Sequence, residues 1–132
     1  MILLDTHAAL WLRAGDARLG PVARSEIERA WQAEEVAVSA MSFWEMAMLR
    51  EKGRIEYPDD VSRWRLEQLG QGLIEIPVDG EIGIRANELA DFHPDPADRI
   101  IVATAMNGHQ LVTADRRILD WSGGLRCVAA VL

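Results

Sequence analysis

The chain has 132 residues, 49% hydrophobic and 27% charged, enough apolar content for one globular domain spanning 1–132 and too much for a disordered chain. A formal net charge of −7 with an isoelectric point near 4.9 excludes attachment to nucleic acid through a general basic field. The single cysteine, Cys127, excludes an internal disulfide and suits a reducing compartment; with no bilayer-length apolar run and no basic segment before Met1–Leu4, the expectation is a cytoplasmic protein without membrane contact.

Ile2-Leu3-Leu4 is a continuous apolar run, as expected of a central strand covered on both faces. It stops at Asp5, and Thr6 is placed to cap a helix from Ala8 to about Arg13 that ends at Gly15. Pro21 opens a second helix to about Ala33, with Val22, Ala23, Ile27, Ala30 and Trp31 on one stripe. Val36–Ser39 reads as the second strand. A helix from about Phe43 to Lys52 follows, in which Ser42 and Glu45 fit a capping box. Pro58 opens a helix through Trp64 and Leu69. Leu73–Ile76 is the third strand, and residues from about Glu81 to Ala90 form the next helix.

The stretch from His93 to Ala105 is the most informative. Pro94 and Pro96 forbid helix up to Pro96, which fits the first helical position, so Asp95 falls at the N-cap. Asp98 lies in the first turn, near the positive end of the helix dipole. Ile100–Ala105 is apolar on all sides, predicting a buried helix, and Asn107-Gly108 supplies its left-handed stop. Gln110–Thr113 is the fourth strand, ending just before Asp115. Arg116–Trp121 forms a short helix, and Leu125–Val131 a last strand. Short apolar strands alternating with helices predict a three-layer α/β/α sandwich around a mostly parallel sheet. In such sheets ligands gather beyond the carboxyl ends of the strands. Asp5 and Asp115 each follow a strand, and Glu45 and Asp98 fall in first turns of helices, so four acids from distant stretches can meet on one edge.

Ionised carboxylates a few ångströms apart repel one another, and burial raises that cost. A hard divalent cation, Mg2+ or Mn2+, removes it and can activate water and clamp a phosphate for in-line displacement. Other chemistries fail on spacing: Cys127, His7, His93 and His109 have no zinc-ligand pattern, and there is no Gly-x-Ser-x-Gly elbow or phosphate loop. A haloacid-dehalogenase-type phosphatase needs Asp-x-Asp where this chain has Asp5-Thr6-His7. A receiver domain needs a lysine near the last strand, and Lys52 is the only lysine. His7 and His93 read as surface or supporting residues. Trp11, Trp31, Trp44 and Trp64 sit in apolar helical stripes and read as packing residues, not base-stacking platforms. Arg50, Lys52 and Arg54 form the densest basic patch.

The segments Leu3–Trp11, Ser42–Glu45, Asp95–Arg99 and Leu111–Asp115 together resemble the PIN-domain family, in its order and spacing, and within it the VapC-type toxin ribonucleases of prokaryotic type II toxin–antitoxin pairs. The resemblance covers essentially the whole chain. It implies a Mg2+- or Mn2+-dependent endoribonuclease in which Asp5, Glu45 and Asp98 match the three principal acids and Asp115 a fourth, less uniformly required. Thr6 and Thr113 match hydroxyl positions beside the site, and Arg99 a positioning or ion-pairing residue. It further implies an RNA substrate cut by water to leave a 5′-phosphate, a homodimer, and a small cognate antitoxin whose segment enters the acidic groove. Alternatives on the same fold are a housekeeping PIN nuclease without an antitoxin and a non-catalytic protein-binding module.

Overall fold

The computed structural model describes residues 1–132. Its five strands are β1 (Ile2–Leu4), β2 (Val36–Ser39), β3 (Ile74–Ile76), β4 (Gln110–Thr113) and β5 (Cys127–Ala129). Every pairing is parallel, in the order β3-β2-β1-β4-β5. Seven helices connect them: α1 (Thr6–Ala14), α2 (Pro21–Gln32), α3 (Ala40–Glu51), α4 (Val61–Gly70), α5 (Gly80–Glu88), α6 (Pro96–Ala105) and α7 (Arg116–Leu119).

The strands read as unbroken apolar runs because both faces are covered. Side chains alternate across the sheet, so each strand feeds two cores. Ile2, Leu4, Val36, Val38 and Val112 pack with Ala8, Leu10, Ile27, Phe43, Met46 and Trp64 on one face. Leu3, Ala37 and Leu111 pack with Leu89, Ile101, Val102, Ala105 and Ile118 on the other. Helix–sheet–helix layering is therefore written in the two-residue period of strands only three or four residues long. No helix is long and apolar enough to cross a membrane.

Strand order reverses at β1. The chain leaves β1 toward β2 and β3, then crosses back to lay β4 on the other flank of β1. A crevice at the carboxyl ends of β1 and β4 is where this topology seats ligands. Asp5 follows β1, with its amide donating to Val112 O at 3.0 Å, and Asp115 lies two residues past the end of β4.

Several element boundaries differ from the sequence expectation, each for a local reason. Helix α1 begins at Thr6 because Asp5, in extended conformation, is the cap; its Oδ1 accepts from Ala8 N at 2.8 Å. Thr6 is buried as the first helical residue. Helix α3 starts at Ala40, not near Phe43, because Ser39 caps it by accepting from Met41 N at 3.1 Å. Ser42 and Glu45 therefore form no capping box, and Glu45 lies in the second turn. Pro58 does not open α4: Asp60 caps it, and Tyr57–Pro58 is a cis peptide ahead of it. The final strand is confined to Cys127–Ala129, after which Ala130 O and Leu132 O accept from Gly20 N and Val22 N.

Candidate metal centre

Four helix N-termini are built around the crevice, and three are capped by aspartates that line or adjoin it. Asp5 caps α1. Asp95 caps α6, its Oδ1 accepting from Asp98 N at 3.0 Å, with Pro96 at the first position. Asp115 caps α7, its Oδ1 accepting from Arg117 N at 2.8 Å. An N-cap fixes carboxylate direction through the backbone, so these acids are aimed by helix geometry. The helix termini also offset part of their mutual repulsion.

Glu45 is aimed differently. The Thr6 hydroxyl donates to Ser42 Oγ at 3.1 Å, a buried bond tying the start of α1 to the first turn of α3. Glu45 is three residues on, over the same face of α3. The result is a cleft of about 410 Å³ lined by Asp5, Glu45, Asp95, Asp98 and Asp115, with His7, Trp11, Arg54 and Arg117 among its other walls. All four acids singled out in the sequence reach it. So does Asp95, read there as a cap alone.

Asp98 is the hub. Donor atoms of Glu45, Asp95 and Asp98 lie within 4.8 Å of one another, and so do those of His93, Asp98 and Asp115. Burial, followed by the charges of Asp95, Glu45, Asp115 and Asp5, pushes Asp98 up to about 7. Asp5 is also raised, by burial first, against the opposing pull of the Thr113 hydroxyl and the Ala8 amide. Asp115 goes the other way: burial raises it, but hydrogen bonds from Arg117 outweigh that and hold it below the ordinary carboxylate range. Arg117 donates to Asp115 Oδ2 at 3.0 Å and lies 3.7 Å from Asp98 Oδ2.

Thr113 Oγ1 accepts from Asp115 N at 3.1 Å, so this buried threonine links the ends of β1 and β4. Arg99 points elsewhere. Its guanidinium donates to the carbonyls of Ala86, Leu89, Phe92 and His93 at 2.8–3.0 Å, stapling the connector between α5 and α6 and meeting no carboxylate. Of the tryptophans, Trp64 is buried as expected, whereas Trp44 is 54% exposed on the outer face of α3. Sequence reasoning misses Arg117; its only signal there is a cation two residues after a strand-ending acid.

A set of carboxylate oxygens whose central member resists ionisation fits a hard divalent cation, which removes the repulsion that raises Asp98. That donor set suits Mg2+ or Mn2+ better than a thiolate-preferring ion.

Known proteins share this chain's family and fold. The family model described as PIN domain matches residues 2–122. Ribonuclease VapC22 of Mycobacterium tuberculosis is 40% identical over 119 residues, spanning 89% of this chain and 88% of that protein. Among solved structures, VapBC2 from Rickettsia felis bound to a promoter DNA fragment superposes with a TM-score of 0.66 at 14% identity, covering 97% of this chain and 98% of that one. A toxin–antitoxin complex from Klebsiella pneumoniae gives 0.64 at 22% identity, with 98% of both chains covered.

Proposed function

The chain belongs to the PIN-domain family, and from that premise we propose that it is a divalent-metal-dependent endoribonuclease acting as the toxin of a VapBC-type pair. One observation carries the reading: five carboxylates from four elements, α1, α3, α6 and α7, line a single cleft at the sheet's switch point. Asp5, Glu45, Asp98 and Asp115 are the residues that would hold one or two Mg2+ or Mn2+ ions. Bound there, the metal supplies an activated water and charge stabilisation on the phosphate.

The chain's own groups do the rest. Asp98 gives up its proton on loading, because its raised pKa comes from burial and from charges a cation neutralises. Arg117 keeps Asp115 ionised and presents an exposed guanidinium at the cleft mouth. Arg54, also in the lining, offers a cation to an RNA phosphate. Thr6 and Thr113 fix the backbone ends from which Asp5, Glu45 and Asp115 project. Local cations and bound metal thus reconcile an acidic chain with a polyanionic substrate. A cytoplasmic homodimer silenced by a small antitoxin, one of whose basic side chains enters the acidic cleft, completes the reading; the solved toxin–antitoxin complexes of the same fold support the antitoxin partner.

The test is cleavage of a single-stranded RNA by purified protein with Mn2+, with EDTA, and after Asp98→Asn. Cutting should require metal, leave 5′-phosphates, and fall at least a hundredfold in the variant. The same substitution should relieve growth inhibition in cells at unchanged protein level. Equal cleavage in EDTA, or by a folded Asp98→Asn protein, refutes the assignment.

A further inference from the structure

In the donor groups that meet around Asp98, His93 is the one member that is not a carboxylate. Its Nε2 lies 3.3 Å from Asp98 Oδ2, and its side chain is 12% exposed. Both ring nitrogens are fully buried, and neither has a hydrogen-bond partner. Leaving a buried polar atom unmatched costs about 1–3 kcal/mol, so an imidazole in this state calls for an explanation.

The ring is nonetheless held in place. It stacks on Phe92 with centroids 4.4 Å apart and planes 27° from parallel. Phe92 is braced edge-on by Trp121 at 5.3 Å, and Trp121 is anchored through its indole N–H to Ala90 O at 2.9 Å. Arg99 grips the carbonyls of Phe92 and His93 at 2.9 and 3.0 Å. Two aromatic rings and a guanidinium are thus arranged to fix one imidazole whose buried nitrogens make no hydrogen bond and whose Nε2 faces Asp98 Oδ2 at 3.3 Å. Preorganisation of that kind is what metal ligands require of their surroundings.

We propose that His93 is a nitrogen ligand of the metal centre, completing the donor set of Asp98 and Asp115, with Arg99, Phe92 and Trp121 as its positioning residues. The inference rests on the metal-site reading above. It gives Arg99 a defined task at a distance from the acids, and it makes the centre a mixed nitrogen–oxygen site. An imidazole donor disfavours Mg2+ relative to a first-row transition-metal ion, so of Mg2+ and Mn2+ this chain would prefer Mn2+.

The chain has three histidines, which makes the test clean. Mn2+ alone is added to the full-length protein, and its electron spin-echo envelope is read for directly coordinated nitrogen. Wild type should show one such coupling; His93→Gln should lose it, while His7→Gln and His109→Gln keep it. By calorimetry, His93→Gln should weaken Mn2+ about tenfold or more and Mg2+ much less. Mn2+ bound without nitrogen coupling in wild type overturns the inference, whether or not the variant folds, and leaves the carboxylate site standing. Coupling that survives His93→Gln overturns it equally. Failure of wild type to bind Mn2+ at all refutes the metal centre itself.

Discussion

Asp98→Asn has an effect on stability opposite to its effect on cleavage. In the metal-free protein the Asp98 carboxyl titrates near 7 against an ordinary 3.8. Between those values the folded chain holds a proton that the unfolded chain has released, so wild-type stability falls as pH rises through this window. At roughly 1.4 kcal/mol per pH unit the full interval is worth about 4 kcal/mol. Water reaching a side chain that is 17% exposed screens part of this, and the lost attraction to the N-terminus of α6 removes about 0.5 kcal/mol more. The Asp98→Asn substitution should therefore stabilise the EDTA-treated protein at pH 7.5 by about 2 kcal/mol, with a difference near zero at pH 4. Urea denaturation at the two pH values reads both numbers. Saturating Mn2+ should reverse the order, since only wild type gains full stabilisation by mass action. Parallel pH profiles for the two proteins, or a variant less stable in EDTA at pH 7.5, would refute the repulsion argument.

Thr6→Val removes the donor to Ser42 in a fully buried pair and should cost about 1–2 kcal/mol in denaturant unfolding; an unchanged midpoint would mean that the bond does not tie α1 to α3. Gly20→Ala drives a Cβ into the Leu132 carbonyl carbon and to 2.5 Å from Val131 O, so overpacking against backbone should lower stability by about 1–3 kcal/mol, read as a melting shift. Arg117→Ala should let the Asp115 carboxyl rise in a carbon-detected NMR titration, because the guanidinium is what holds it down; no movement would remove Arg117 from the electrostatics of the cleft.

Layering is legible in the sequence because β1, β2 and β4 combine unbroken apolar runs with flanking helix signals, and the two-residue period assigns Leu3 and Leu4 to opposite cores. The strand order is not, since nothing local in Val36–Ser39 or Gln110–Thr113 says which flank of β1 each takes. Asp95 and Pro96 are readable as cap and first helical residue because both act within one turn. The start of α3 is misplaced by sequence because Ser39 and Ser42 are equally good caps there, and a tertiary partner, Thr6, claims Ser42. Helical spacing puts Trp44 in a packed stripe without saying whether another element covers it; in the fold it stays exposed. His93 and Arg117 give weak signals because their significance lies in contacts with Asp98, five and nineteen residues away in sequence.

Three acids of the cleft are also the caps of α1, α6 and α7, and this alters what their presence says about a PIN-like chain. An N-cap aspartate replaced by alanine forfeits about 1 kcal/mol, so selection for folding alone would preserve Asp5, Asp95 and Asp115 long after an ancestor stopped cutting RNA. Glu45 and Asp98 cap nothing, and Asp98 weakens the empty fold. Released from catalysis, those two positions should drift first. A relative that keeps the capping acids but has lost Glu45 or Asp98 is then best read as an inactive descendant, and intactness of all five as a sign of continuing use.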